Sequence, residues 1–119
     1  MREKIRDKGR LEHMLESIDY VIDFTKDIGF EDFEKDIILR FAIIKNLEIV
    51  GEASYMLTKE FREQHPEMPW RKLIDLRHVL VHGYYQIKFE TIWNIIQKDL
   101  LPLKEQIQIL YDNELNFTP

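Results

Sequence analysis

The segment Arg77-His78-Val79-Leu80-Val81-His82-Gly83-Tyr84 places three reactive side-chain types within a few residues of one another. An arginine binds phosphate oxygens through a rigid fork of donors. A histidine moves protons near neutrality, because a free imidazole has a pKa of about 6.5. A tyrosine offers a hydroxyl that can accept a transferred group. The arginine also stands where an apolar side chain is expected. At roughly 100° per residue, Trp70, Leu73, Leu76, Leu80 and Val81 share one helical face, and Arg77 falls near its middle. An unpaired guanidinium is too costly to bury. Arg77 must therefore meet a carboxylate, with Glu48 and Glu52 as candidates, or line a cleft that opens on a polar ligand.

Composition limits what can surround such a segment. A chain of 119 residues with 45% hydrophobic content supports one domain with a real core and leaves no room for two, so 1–119 is read as a single helical domain. The absence of cysteine excludes a disulfide framework and thiolate metal sites, and suits a reducing compartment. The start, Met1-Arg2-Glu3-Lys4, has no apolar leader, and no apolar run approaches the ~18 residues that span a bilayer. A soluble, cytoplasmic protein with no membrane partner is expected. The net charge of −5 argues against nonspecific coating of nucleic acid. Residues 71–88 nevertheless carry a net +3, leaving −8 for the remainder. One basic patch with two histidines on an acidic body fits selective contact with a phosphate group.

The elements that must position this patch read as helices. Four glycines, four prolines and no sustained period-2 alternation argue against strands. A first helix is expected over about 10–27, with Leu11, Met14, Leu15, Ile18, Val21 and Ile22 at helical spacing and Gly29 just beyond its end. A long helix over about 31–64, bent or broken near Asn46 or Gly51, carries two apolar stripes: Ile37, Phe41, Ile44 and Tyr55, and Ile38, Ala42, Ile49, Ala53 and Met56. A helix apolar on two sides is either central in the monomer or shared with a second subunit, and a homodimer is expected here. His65-Pro66-Glu67-Met68-Pro69 breaks the pattern, and Pro69 opens a helix from Trp70 to about Val81 or His82, with Gly83 at the C-cap position. The last helical region starts near Phe89 and is kinked by Pro102, and 113–119 read as a frayed tail. The expected fold is all-α, an up-and-down bundle of four to five helices. Trp70 and Trp93 read as core or interface anchors, Tyr85 as cover for the core edge, and His13 and His65 as surface or turn residues. Asp75 and the mixed charges of residues 2–12 read as a solvated surface.

The order of these signals closely resembles the HepT-like branch of the HEPN superfamily, the toxin half of HEPN/MNT toxin–antitoxin pairs. The resemblance spans Leu11 to about Leu110 and rests on Leu47-Glu48-Ile49-Val50-Gly51-Glu52-Ala53, His65-Pro66-Glu67-Met68-Pro69-Trp70, the Arg77–Tyr84 segment and Asp99-Leu100-Leu101-Pro102-Leu103. R-x4-H alone is weak, but R-x4-H-x-Y behind a Pro-Trp helix start with Gly-Glu-Ala upstream is specific. The resemblance implies an α-helical homodimer and an endoribonuclease with no required metal or other cofactor. It also implies a nucleotidyltransferase antitoxin that adds AMP to the motif tyrosine. The family arginine and histidine fall on Arg77 and His82, and the modified tyrosine on Tyr84. The residue after the arginine is most often asparagine in the family and here is His78, which can still hydrogen-bond.

Metal-free cleavage of RNA needs a base for the 2′-hydroxyl proton, an acid for the leaving 5′-oxygen and positive charge for the phosphorane-like transition state. His82 and Arg77 supply these types, with His78 and Glu52 in support. One protomer lacks a full set, and a dimer joining two segments across one groove would complete it. The spacing of His78 and His82 also permits an H-x3-H metal pair, but no metal is expected. The alternative functional reading is a catalytically inactive HEPN module that binds nucleotide or assembles with a nucleotidyltransferase. A plain structural dimer, with Arg77 in an internal salt bridge, is the remaining one.

Overall fold

The computed structural model describes the backbone of residues 2–115 and, apart from Tyr84, the side chains of residues 6–113. Among the described residues every regular element is helical, as expected. The order is α1 (Arg2–Thr25), α2 (Phe30–Lys35), α3 (Ile37–Met56), α4 (Lys59–Gln64), α5 (Trp70–Gly83), a 3-10 turn (Tyr84–Gln86), α6 (Phe89–Asn94), a π turn (Ile95–Asp99) and α7 (Leu100–Leu115). Helices α1, α3, α5 and the continuous α6–α7 rod build the bundle, and α2 and α4 are corner pieces.

The face expected for α1 is the one that is buried. Leu11, Met14, Leu15, Ile18 and Val21 all lie in the core. Full burial of each such side chain contributes about 1.5–3 kcal/mol, so this stripe fixes α1 against α3 and α7. The long helix expected over 31–64 is three helices, and it breaks at neither Asn46 nor Gly51. The first break is made by Asp36, an N-cap whose carboxylate accepts the Leu39 N–H at 3.0 Å. The second follows Leu57, which leaves the helical region at φ −61°, ψ 147°. Thr58 then caps α4 by accepting the Phe61 N–H at 3.1 Å, and the Asp7 carboxylate accepts both the Thr58 N–H at 2.8 Å and its hydroxyl at 2.7 Å. Asp7 is only 3% exposed, so it belongs to a buried polar clamp and not to the solvated surface read for residues 2–12.

Neither apolar stripe read on α3 is the core line. The buried line runs through Ile43, Ile44, Leu47, Val50, Gly51, Ala53 and Ser54, taking Ile44 from one expected stripe and Ala53 from the other, whereas Ile37, Ile38, Phe41, Tyr55 and Met56 are exposed. The expectation that α3 carries apolar surface beyond its core-facing side does hold in this form.

At the chain's second half, Pro69 directly precedes α5, and its carbonyl accepts the Leu73 N–H at 3.1 Å. Trp70 is buried and donates its indole N–H to the His65 carbonyl at 2.9 Å, tying the His65–Pro69 loop to the helix start. Gly83 does not adopt the left-handed conformation of a C-cap glycine, because the chain passes in the same helical sense into the 3-10 turn. Ahead of Pro102, where a kink is expected, the helix carries a π turn in which the Leu100 N–H reaches back to the Ile95 carbonyl. Proline lacks the N–H that would close the turn and crowds the carbonyl four residues before it, and a widened turn relieves both. Trp93 joins an aromatic cluster with Phe30 and Phe33, the Phe33–Trp93 centroids lying 5.5 Å apart, and this cluster holds α2 against α6. Helix α7 continues to Leu115, into the stretch expected to fray, and residues 116–119 of that expected tail lie outside the described residues.

Candidate active site

The site is set by a close crossing of α3 and α5. An added Cβ at Gly51 would lie 2.3 Å from the Arg77 Cβ, 2.6 Å from the Leu73 carbonyl oxygen and 3.1 Å from the Arg77 Cα. Only a residue without a side chain permits the approach. Leu73 and Leu80 point into the core on either side of the crossing, and Val81, placed on that face by the sequence reading, is 40% exposed. Arg77 therefore sits at the border of the buried face, its backbone pressed on α3 and its guanidinium directed to the rim.

There Arg77 meets Glu52, the neighbour of Gly51. Its Nε lies 2.7 Å from Glu52 Oε2, with the two side chains 32% and 48% exposed. Of the two carboxylates weighed as partners, Glu52 is the one engaged. A pair this exposed contributes at most about 1 kcal/mol to stability. Its stronger effect is geometric, since an Nε contact fixes the plane of the guanidinium while using one of its five donors.

His78 and His82 are exposed on the outer side of α5, one turn apart, with ring centroids 4.8 Å from each other and planes 53° apart. Around the helix axis Arg77 lies about 100° from His78 and about 140° from His82, so the imidazole pair and the Glu52-anchored guanidinium share α5 but stand on different faces of it. The backbone of Tyr84 begins the 3-10 turn beyond His82, but its side chain lies outside the described residues. Tyr85 is 73% exposed and does not cover the core edge as expected. Among the described residues no group of three or more histidine, aspartate or glutamate side chains is arranged to hold a metal ion.

The arrangement is open. An apolar groove of about 530 Å³ lies on another side of α5, between Leu76 and Val79 and the Ile95–Leu100 stretch, and neither Arg77 nor either histidine lines it. The cation and imidazoles instead stand open to solvent, and the same two helices also expose Val81 at 40%, Phe41 and Tyr55 at 56% and Met56 at 44%. A phosphodiester can reach such groups. Excluding water from them requires a second surface.

Of the residues the sequence singles out, the structure pairs Arg77 with Glu52 and His78 with His82, whereas the role of Gly51 as the crossing point is not read from the sequence. The available signal was a glycine inside a helix, which costs about 1 kcal/mol against alanine and is retained where packing demands it. No helix among the described residues is long and apolar enough to cross a membrane.

Comparison with known proteins gives a consistent picture. A family model described as ribonuclease HepT-like matches residues 14–110. A "putative RNase" of Methanocaldococcus jannaschii is 39% identical over 103 residues, covering 87% of this chain and 94% of that protein. A "putative RNase" of Caldanaerobacter subterraneus subsp. tengcongensis is 39% identical over 104 residues, with 87% and 93% covered. A "probable ribonuclease HepT" of Thermococcus cleftensis is 38% identical over 103 residues, with 87% and 94% covered. No solved structure matches significantly.

Proposed function

Because the chain belongs to the HepT-like ribonuclease family, we propose that it is a metal-independent endoribonuclease, the toxin of a HEPN/MNT toxin–antitoxin pair, acting as a homodimer. The observation that carries this reading is the pair of groupings on one helix: Arg77 held at 2.7 Å by Glu52, and two imidazoles 4.8 Å apart. Arg77 binds nonbridging phosphate oxygens and stabilises the charge that grows on them. An imidazole base takes the 2′-hydroxyl proton, the 2′-oxygen bonds to phosphorus, the P–O5′ bond breaks, and an imidazolium acid protonates the leaving 5′-oxygen. The products are a 2′,3′-cyclic phosphate and a 5′-hydroxyl. His82 is the principal proton carrier, His78 supports it, and Glu52 is the positioning residue for Arg77.

Dimerisation follows from the same helices. Helices α3 and α5 expose Phe41, Tyr55, Met56 and Val81, and a second copy packed on these helices would bury such side chains, exclude water and bring in a second arginine and further imidazoles. The direct test is cleavage of RNA in excess EDTA with analysis of both new ends, alongside sedimentation at micromolar concentration. We expect cyclic-phosphate and 5′-hydroxyl termini and a species of twice 14.5 kDa. A strictly monomeric protein, or cleavage that vanishes with chelation, overturns the mechanism.

Control acts at Tyr84. The cognate nucleotidyltransferase moves the α-phosphoryl group of ATP, as AMP, to the tyrosine hydroxyl and releases pyrophosphate. The resulting phosphodiester brings a negative charge and a nucleoside beside Arg77 and His82, competing with RNA for the same donors. Co-expression with the partner is therefore expected to add one or more AMP masses on Tyr84 and to silence the protein, while Tyr84→Phe stays active and escapes. AMP found on Tyr85 instead, or Tyr84→Phe silenced by covalent modification, would show the tyrosine misassigned.

A further inference from the structure

Away from the rim, an open pocket of about 490 Å³ lies between α4 and the first turns of α5, and its lining includes Lys59, Arg62, Glu63, Trp70, Arg71 and Asp75. Its cations are not equally satisfied. Lys59 pairs loosely with Glu63 at 3.8 Å and Arg71 with Asp75 at 3.9 Å, each within its own helix and with every one of these side chains largely exposed. Both carboxylates of the pocket thus already have a cation one turn away. Arg62 is partly buried, makes no salt bridge among the described residues, and its Nε is a buried side-chain nitrogen without a hydrogen-bond partner. A partly desolvated guanidinium with an unmet donor is costly to keep, and an apolar side chain would serve packing better. The fold nonetheless places it firmly: Asp7 clamps Thr58, Thr58 caps α4, and Arg62 follows one turn later.

We propose that this pocket is a second binding site for the phosphodiester backbone of the RNA substrate, with Arg62 as its anchor and Lys59 and Arg71 as its outer contacts. The identity of the ligand rests on the RNA-cleaving reading above. Placement favours a polynucleotide. On a helix, positions 71, 75, 78 and 82 fall on one stripe, so Arg71 lies in line with His78 and His82. The Arg71–His78 separation is two turns, about 10 Å. A strand that follows this stripe, with its scissile phosphate at His82, therefore passes over the pocket with a neighbouring phosphate. The Trp70 indole is buried and hydrogen-bonded to His65, so the site reads backbone charge and no base.

The test uses the full chain, a fluorescent single-stranded RNA oligonucleotide and the variants Arg62→Met and Arg71→Gln, with binding measured across a salt series. Arg62→Met is expected to weaken binding about tenfold, the effect of one charge-assisted contact. It should also flatten the slope of log affinity against log salt by about 0.7, the value for one phosphate contact on a single strand. Its melting temperature should equal or exceed the parent's. Arg71→Gln should flatten the slope in the same sense by a smaller amount. Cleavage of a dinucleotide, too short to reach the pocket, should be unchanged in both.

Unchanged affinity and salt slope in Arg62→Met would overturn the proposal, as would a parent that does not bind the oligonucleotide. A loss of stability with RNA binding intact would make Arg62 structural. Loss of nucleotidyltransferase binding with RNA binding intact would make the pocket a protein interface. A parent that binds RNA with the expected Arg62 dependence but never cleaves it would sink the nuclease reading and leave this site standing.

Discussion

Replacing His82 by alanine is expected to lower RNA cleavage by about 10²–10⁴-fold, the usual contribution of a positioned proton carrier, and to leave the helical fold intact. The second half of that expectation follows from its surroundings. His82 is exposed, and its ring lies 4.8 Å from that of His78, so truncation opens no cavity in the core. Arg77→Ala should also abolish cleavage, because the charge that develops on the phosphate would lose its fixed donors. It leaves Glu52 unpaired, but that carboxylate is 48% exposed and water can solvate it, so the stability cost is about 1 kcal/mol or less. His78→Asn keeps a hydrogen-bonding side chain and should cleave nearly as the parent does. Rates on a labelled RNA with melting curves of the same preparations decide the matter. A His82→Ala protein that cleaves at the parental rate would place proton transfer elsewhere. An Arg77→Ala protein that unfolds would make the ion pair structural.

The Arg77–Glu52 pair was legible in sequence because its chemistry conflicts with its surroundings. An arginine on an apolar face demands a carboxylate, and Glu52 was one of two within reach. The helical character and the burial of one side of α1 were legible for a related reason: period 3.6 is a local signal, and Leu11, Met14, Leu15, Ile18 and Val21 obey it without reference to the rest of the chain. The breaks in the long helix were not legible. The one at Thr58 has neither glycine nor proline, and its hydrogen-bond partner Asp7 is 51 residues away in sequence. Asp7 itself lies in a run of mixed charge whose pattern announces solvent, and only the tertiary contact makes it buried. Arg62 was invisible for the converse reason. Its sequence context, between glutamates on a short polar helix, suggests ample partners, whereas the folded chain gives its Nε none. Gly51 was noticed and misread, since a mid-helix glycine marks a bend or a close approach equally well until the second helix is in place.

That close approach makes Gly51→Ala the most informative substitution outside the rim. On helix propensity alone alanine is favoured over glycine by about 1 kcal/mol, and a solvent-facing position would gain stability. Here the new methyl group would stand 2.3 Å from the Arg77 Cβ and 2.6 Å from the Leu73 carbonyl. Neither is the free end of a side chain, so relief requires α3 and α5 to separate. Such overpacking lies at the upper end of the ~1–3 kcal/mol range, and with the propensity gain subtracted we expect a loss of about 2 kcal/mol, or about 8 °C in Tm for a domain of this size. The functional loss should be larger than the stability loss. Separation carries the root of Arg77 away from α3 while Glu52 stays with it, so the 2.7 Å contact that orients the guanidinium is stretched at its source. A misplacement on the order of 1 Å can cost 10²-fold in rate, and we expect at least that loss in a protein that is still folded at room temperature. Gly83→Ala is the control. A Cβ there would meet only the Gln86 side chain, at 3.6 Å, and the backbone is not left-handed, so that variant should melt at or slightly above the parent. A Gly51→Ala protein that matches the parent in both Tm and cleavage would mean that the crossing can open without cost, and that Arg77 is positioned by something other than its contact with α3.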